Sequence, residues 1–157
     1  HMLRISKLTD YGTVLLAHLA ENQTSVCSAA EVAASTGIAL PTVSKLMKSL
    51  ARSGLVTSTR GATGGYELSR DAKDISAADV IDALEGPVSI TECSSSHSQC
   101  EHEVNCSVGG AWKNINFAIR SALEDVSLSD LLKNNRPATP LHFGGLPISV
   151  EKKRLTL

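Results

Sequence analysis

Apolar residues recur at helical spacing along most of the chain and at strand spacing in one short stretch only. Between residues 9 and 21 this spacing predicts a first helix, with Thr9 or Asp10 as its N-cap. A later helix is predicted from Ser76 to the Gly86–Pro87 pair, and two more over residues 111–126 and 127–133. The pattern therefore predicts a mainly α-helical protein.

Two short helices separated by a glycine turn are predicted after the first helix. Ser28 and Glu31 have the spacing of a capping box, and Gly37 can end that helix in the left-handed conformation. Pro41 is expected at the first position of the second helix, PTVSKLMKSLARSG, whose apolar face would be buried. The arrangement is typical of a helix-turn-helix. Its exposed face would carry Thr42, Ser44, Lys45 and Lys48.

A β-hairpin is predicted directly after the helix-turn-helix. Two segments of apolar and β-branched residues flank the sequence RGATGG at residues 60–65. A hairpin in this position is the wing of a winged-helix domain, where Arg60 can enter a groove or bind a phosphate. Gly64 and Gly65 would let the backbone approach DNA, although a tight turn needs glycine as well. The expected fold class is mainly α with a small β-hairpin wing.

The helix over residues 111–126 has an apolar stripe that a small winged-helix domain cannot cover completely. The stripe consists of Trp112, Ile115, Ile119, Ala122, Leu123 and Val126. We expect this helix to pair with its copy in a homodimer, the alternative being packing on its own domain. The predicted organisation is a winged helix-turn-helix domain at 2–86, a cysteine loop at 87–108, a dimerisation helix with a short closing helix at 109–133, and a mobile tail at 134–157.

The net charge of −1 conceals a polarised chain. Residues 1–70 carry seven Lys and Arg against four Asp and Glu, residues 71–134 carry four against eleven, and residues 135–157 carry four against one. The positive charge therefore lies where DNA phosphates would be bound. No run approaches the roughly 18–20 apolar residues of a membrane span, and no signal segment opens the chain. We expect a cytoplasmic protein without a membrane partner.

Three of the four cysteines lie close together, in the segment ECSSSHSQCEHEVNCSVGGAW, as Cys93, Cys100 and Cys106. In a reducing compartment such cysteines act as metal ligands or redox groups. Their spacing, with six and then five intervening residues, differs from common zinc sites and favours an iron–sulfur cluster, with zinc or thiol redox switching as alternatives. Composition alone offers as a further ligand His97, His102, Glu92, Glu101 or Glu103. Cys27 stands apart and is interpreted as a small buried apolar residue.

These segments together resemble a known family. The resemblance covers residues 2 to about 133 and rests on LRISKLTDYG, the helix-turn-helix, the wing RGATGGYEL, the helix ISAADVIDALEG, and three cysteines before a Trp-led helix. The chain resembles the iron–sulfur-cluster-sensing winged-helix regulators that include IscR and NsrR, and is most similar to regulators of the SUF assembly system. The resemblance implies a homodimer on a palindromic DNA operator and one cluster per subunit, for which we expect [2Fe–2S] rather than [4Fe–4S].

The resemblance leaves the fourth cluster ligand open. IscR-type members have a histidine three residues after the last cysteine, where this chain has Gly109. NsrR-type members use an aspartate of the first helix, reached across the dimer, and the matching residue is Asp10. Asp10 can equally serve as a helix N-cap, and His97, His102 or solvent are the other candidates. The first cysteine spacer has six residues where relatives commonly have five.

The sequence thus predicts a DNA-binding transcription regulator, a repressor of iron–sulfur assembly genes whose DNA affinity depends on the cluster. Pro41, Thr42, Ser44 and Lys45 would face base edges and nearby phosphates, Lys48 the DNA backbone, and the wing would add Arg60, Gly64 and Gly65. Ser44 replaces the glutamate of IscR-type members, so operator preference should differ. Alternatives are a zinc-stapled or thiol-sensing DNA-binding regulator and a metal-stabilised protein-interaction module. No arrangement of cysteine, histidine and acid indicates an enzyme.

Overall fold

The computed structural model describes residues 5–89 and 108–133, together with the backbone of residues 142–143 and 146–147. The elements in chain order are α1 (Lys7–Glu21), α2 (Ala29–Thr36), α3 (Leu40–Arg52), β1 (Val56–Thr59), β2 (Gly65–Leu68), a short 3-10 helix (Ala72–Asp74), α4 (Ala77–Leu84), α5 (Gly109–Glu124), α6 (Leu128–Leu132), β3 (His142–Phe143) and β4 (Leu146–Pro147). The mainly α fold with a β-hairpin wing is confirmed. Within the described ranges, none of the helices is long and apolar enough to cross a membrane.

Helix α1 begins earlier than the apolar pattern indicates. Its N-cap is Ser6, whose hydroxyl accepts a hydrogen bond from the Thr9 backbone N–H at 3.3 Å. Thr9 is buried inside the first turn and Asp10 follows it, so the prediction that one of them caps the helix is wrong. Apolar periodicity starts at Tyr11 and contains no information about the polar residues of the preceding turn.

Helices α2 and α3 form the predicted helix-turn-helix. The capping box of Ser28 and Glu31 is present, and Gly37 ends α2 with φ +73°, a conformation that favours glycine. Helix α3 begins at Leu40 with Ala39 as its N-cap, so Pro41 occupies the second helical position rather than the first. The buried face of α3 is the predicted one, formed by Val43, Leu46, Met47 and Leu50.

The wing is joined to the helix-turn-helix by backbone hydrogen bonds. Strands β1 and β2 pair antiparallel, from Val56 opposite Leu68 to Thr59 opposite Gly65. Strand β2 also pairs with the segment before α2, because Cys27 N–H donates to the Tyr66 carbonyl at 2.9 Å and Tyr66 N–H donates back at 2.7 Å. Cys27 is 7% exposed and belongs to the core, as predicted.

One hydrophobic core joins α1, α2, α3, β1, α4 and α6. Its largest fully buried side chains are Leu15, Leu16, Leu19, Val32, Val43, Met47, Leu50, Ile75, Val80 and Leu128. Capping boxes open α4, with Ser76 and Asp79, and α6, with Ser127 and Asp130. Strands β3 and β4 pair antiparallel, which the sequence did not predict. The remainder of the predicted tail lies outside the described residues.

Candidate nucleic-acid interface and cysteine-loop anchor

The exposed face of α3 is basic. Lys45 and Lys48 are exposed, as is Pro41, while Thr42 and Ser44 are half-buried beside them. An open groove of about 300 Å³ runs along this face, lined by Pro41, Ser44, Lys45, Lys48, Ser49 and Arg52. The helix contains no acidic residue. Four of the predicted recognition residues of α3 therefore line one accessible surface, Pro41, Ser44, Lys45 and Lys48, whereas Thr42 is not among the lining residues.

The cations of α3 and the wing differ from other cations of the molecule. Within the described ranges, no carboxylate forms an ion pair with Lys45, Lys48 or Arg60. Elsewhere, four Lys and Arg side chains do pair with carboxylates at 2.8–3.3 Å: Arg70 with Asp79, Lys73 with Asp71, Arg120 with Asp82, and Lys133 with Asp130. The charge of the α3 face and the wing tip is thus available to an external polyanion.

The two wing glycines are needed by the protein's own backbone. A Cβ atom at Gly65 would collide with the Cys27 carbonyl and lie 2.9 Å from the Ser28 nitrogen. At Gly64 it would collide with the backbone of Thr59 and Arg60. The tip itself, including Arg60, is exposed. Gly65 therefore allows the close approach between the wing and the start of α2.

The root of the cysteine loop is attached to the first turn of α1. Glu85, directly after α4, accepts a hydrogen bond from the Ser6 backbone N–H at 2.9 Å and another from the Thr9 hydroxyl. The Thr9 hydroxyl, then the backbone N–H and hydroxyl of Ser6, hold the pKa of Glu85 below its ordinary value. Ser6 and Thr9 precede Asp10 by four positions and one position. The chain thus enters the loop beside the turn that carries Asp10.

Asp10 is exposed at the edge of an open groove. The groove measures about 630 Å³, and Ile5, Ser6, Lys7 and Asp10 line it. The predicted ligands Cys93, Cys100 and Cys106 lie outside the described residues, as do His97, His102, Glu92, Glu101 and Glu103. Among the residues that are described, no three potential metal ligands stand close together. Asp10 is the one predicted ligand whose surroundings the structure describes.

Helix α5 exposes most of its length. Only Gly109 is buried among its 16 residues. Trp112 and Ile115 of the predicted stripe are 40% and 44% exposed, and Phe117, which the stripe did not include, is 73% exposed. The other members of the stripe, Ile119, Ala122, Leu123 and Val126, are half-buried.

A polar contact that sequence reasoning missed fastens α5 to α4. Arg120 donates from Nη1 and Nη2 to the two carboxylate oxygens of Asp82 at 3.3 and 2.8 Å, and its Nε lies 2.9 Å from Glu124. Hydrogen bonding to Asp82 raises the pKa of Arg120 further. The Arg–Glu spacing of four residues signals the second pair, but no local pattern signals the first.

Known proteins are similar to this chain in both sequence and fold. The family model for Rrf2, an iron-dependent transcriptional regulator, matches residues 5–134. The HTH-type transcriptional regulator IscR of Vibrio atlanticus is 33% identical over 133 residues, covering 82% of this chain and 76% of that protein. Protein rrf2 of Nitratidesulfovibrio vulgaris is 30% identical, covering 84% and 89%.

Solved structures agree with these relatives. CymR, the global cysteine regulator of B. subtilis, superposes with a TM-score of 0.65 at 30% identity, covering 86% of this chain and all of that one. IscR of T. potens gives a TM-score of 0.62 at 28% identity, covering 85% and 88%. These similarities confirm a winged-helix transcription regulator and not an enzyme. The chain belongs to the Rrf2 family of transcriptional regulators.

Proposed function

We propose that this protein is a sequence-specific repressor of iron–sulfur assembly genes whose DNA affinity is controlled by an iron–sulfur cluster. The observation that carries DNA binding is the set of exposed cations on α3 and the wing tip, which have no carboxylate partner among the described residues. When such cations bind phosphates, they displace the counterions that are condensed on DNA, which makes binding strong at low salt. Membership of the Rrf2 family, which is a family of iron-dependent transcriptional regulators, supports the regulatory role.

Residues near the start of α3 read the operator in this proposal. Pro41, Thr42, Ser44 and Lys45 face base edges and adjacent phosphates, because recognition helices contact bases with their N-terminal residues. Lys48 lies one turn further along the same face and contacts the backbone. From the wing, Arg60 supplies a guanidinium that can hold a phosphate or enter the minor groove, and Gly64 and Gly65 keep the neighbouring backbone free of side chains.

The protein binds its operator as a homodimer in this proposal. Helix α5 presents Trp112, Ile115 and Phe117 to the exterior of a single chain. Large exposed apolar side chains on one long helix are typical of a protein–protein interface. A second copy of α5 has the complementary apolar surface, as in a two-fold symmetric dimer. Two recognition helices related in this way match a palindromic operator.

The cluster is proposed to be held by Cys93, Cys100, Cys106 and Asp10, as [2Fe–2S] rather than [4Fe–4S]. The described residues fit this assignment at one point: the Asp10 carboxylate is exposed and receives no hydrogen bond from the described part of the chain. Glu85 brings the loop root to the same turn, and the seven residues between Glu85 and Cys93 can span roughly 25 Å. The cluster would supply a centre sensitive to iron supply and oxidation.

Asp10 links this site to DNA binding in the proposal. It lies on α1, which packs against both α2 and α3 of the helix-turn-helix. If Asp10 joins the thiolates as a ligand, the loop becomes tied to α1 of the same chain or its partner. Such a tie changes the placement of the two recognition helices, and half-sites one DNA turn apart make affinity sensitive to that placement.

Anaerobic purification followed by a visible spectrum and iron, sulfide and zinc analysis tests the cluster. We expect a coloured protein with iron and sulfide, whereas a colourless protein with zinc would support a zinc staple. Replacing Cys93, Cys100 and Cys106 by Ala should abolish the absorbance and change operator affinity. Replacing Cys27 by Ala is the matched control, because this cysteine is buried in the core. Unchanged affinity in the triple variant would refute control by a cluster.

A second measurement separates DNA binding from cofactor chemistry. Arg60→Ala should weaken operator binding and lower its salt dependence, because one cation per subunit would leave the phosphate contacts. Asp10→Asn should alter the visible spectrum without removing the three thiolate ligands. An unaltered spectrum in Asp10→Asn would exclude Asp10 and leave His97, His102 or solvent as the fourth ligand.

A further inference from the structure

The basic face of α3 continues past the predicted recognition residues to the end of the helix. Lys45, Lys48 and Arg52 are spaced by three and four residues, so they lie along one face. All three are exposed, and Arg52 closes the groove that begins at Pro41. Within the described residues, no carboxylate pairs with Arg52.

Arg52 is not needed to complete its own helix. A cation in the last turn commonly stabilises a helix by binding its free carbonyls. Here three of the last four carbonyls already have donors. The Ser53 N–H and hydroxyl donate to the Ser49 carbonyl at 3.1 and 3.2 Å, and the Leu55 N–H donates to the Leu50 carbonyl at 3.0 Å. The Gly54 N–H donates to the Ala51 carbonyl at 3.1 Å. The guanidinium of Arg52 is therefore free to bind outside the protein.

The length of the face determines which part of DNA Arg52 can meet. Arg52 lies eleven positions after Pro41, which is about 16 Å along a helix axis. The major groove of B-DNA is about 12 Å wide. If the N-terminal residues of α3 contact bases, the last turn lies at the wall of the groove, where the sugar–phosphate backbone runs.

We propose that Arg52 is a phosphate-binding residue that holds the C-terminal end of α3 against the DNA backbone. The proposal rests on DNA binding by α3, as proposed above. A guanidinium suits the role because its donors match phosphate oxygens in a bidentate arrangement. A phosphate contact carries no base information, so Arg52 contributes affinity for every DNA sequence and no preference among sequences.

Substitution of Arg52 tests the proposal on the full-length protein. Two DNA duplexes serve as probes: one enriched by the wild-type protein from a random library, and one of random sequence. Arg52→Gln should weaken binding to both duplexes by the same factor. It should also make the negative slope of log affinity against log salt shallower by about 0.9 per subunit. Arg52→Lys should keep the wild-type slope because it keeps the charge. Lys73→Gln, which removes an exposed charge paired with Asp71, is the matched control and should leave the slope unchanged.

The outcomes separate this proposal from the function on which it rests. An unchanged slope in Arg52→Gln would refute the phosphate contact of Arg52 but leave DNA binding by α3 standing. A slope in Arg52→Lys as shallow as that of the Gln variant would do the same. A loss confined to the enriched duplex would refute it as well and indicate a base contact instead. Failure of the wild-type protein to bind either duplex would refute DNA binding itself, whereas failure to enrich any duplex would refute only its sequence specificity. Thermal unfolding of each variant checks that the fold is retained.

Discussion

The winged-helix body, which consists of α1 to α4, the wing and α6, differs from helix α5 in how much apolar surface is buried within a single chain. In the body, α1 buries Leu15, Leu16 and Leu19, and α3 buries four apolar side chains in the same core. Helix α5 is longer than either and buries Gly109 alone. Both regions have amphipathic sequences, yet the body buries its apolar face within its own chain, whereas α5 leaves Trp112 and Ile115 exposed and the rest of its stripe half-buried.

The difference indicates what each region requires to be stable. Burial of apolar surface stabilises a fold by roughly 25 cal/mol per Å². Because the body buries its apolar side chains within one chain, we expect it to be stable without a partner. Helix α5 contacts α4 and forms the Arg120–Asp82 ion pair with it, which is about one-third exposed and contributes little. The exposed part of its apolar stripe, Trp112 and Ile115, would gain further stability if another surface covered it.

The largest effect is expected in the core of the body. Leu50 is fully buried, and its replacement by Ala should lower the free energy of unfolding by about 2–5 kcal/mol. Leu131, which is 46% exposed, should lose less than about 1 kcal/mol on the same change. Chemical denaturation measures both. Equal losses would contradict the difference in burial.

The next effect concerns the apolar face of α5. Trp112→Ala should weaken the dimer by about 2 kcal/mol or more, roughly 30-fold in dissociation constant, because central aromatic residues dominate interfaces. Val14→Ala on α1 removes an apolar side chain of similar exposure, 41%, as a control. Sedimentation equilibrium measures both constants. A monomeric wild-type protein would refute the proposed homodimer.

The same glycine substitution should have opposite effects in the two regions. Gly65→Ala places a methyl group against the Cys27 backbone and should cost about 1–3 kcal/mol. Gly110→Ala meets nothing within 4 Å on α5 and should stabilise the helix by about 0.5–1 kcal/mol. Thermal denaturation of the two variants at one protein concentration is the measurement. A stabilised Gly65→Ala variant would mean that the wing does not pack on Cys27.

Low pH should destabilise α4 and α6, the two helices that begin with a capping box containing Asp79 or Asp130. The Ser127 hydroxyl and backbone N–H, with Lys133, lower the pKa of Asp130 to about 2. Burial would raise the pKa of Asp79, but hydrogen bonds from Ser76 and the charge of Arg70 hold it below its ordinary value. Because folding lowers both pKa values, the stabilisation is complete above about pH 5 and is lost as the pH falls toward 2.

The acid effect can be assigned to one cap with a mutant cycle. The stability difference between the wild type and Asp130→Asn should shrink steadily as the pH is lowered, as followed by denaturant unfolding. In a Ser127→Ala background, which lacks the hydroxyl bonded to the carboxylate, the same substitution should show a smaller pH dependence. A difference independent of pH would contradict the lowered pKa of Asp130.

Local chemistry explains which elements could be predicted. The capping box at Ser28, the helix starts at Ser76 and Ser127 and the stop at Gly37 depend on residues within four positions of one another, so sequence spacing reveals them. The exposed cations of α3 follow from the same periodicity that locates its buried face. The cap of α1 was missed although Ser6 and Thr9 are only three residues apart, because apolar periodicity starts at Tyr11 and contains no information about the polar turn before it.

The winged helix-turn-helix, its basic face and the close sequence spacing of the three cysteines can be recognised without coordinates, because they depend on short-range spacing and composition. Three other features depend on contacts that only the folded chain makes. Gly65 packs against Cys27, Glu85 fastens the loop root to the turn that carries Asp10, and α5 leaves Trp112, Ile115 and Phe117 exposed. Each depends on surfaces that meet, or fail to meet, across long stretches of chain, and spacing along a sequence contains no record of such contacts.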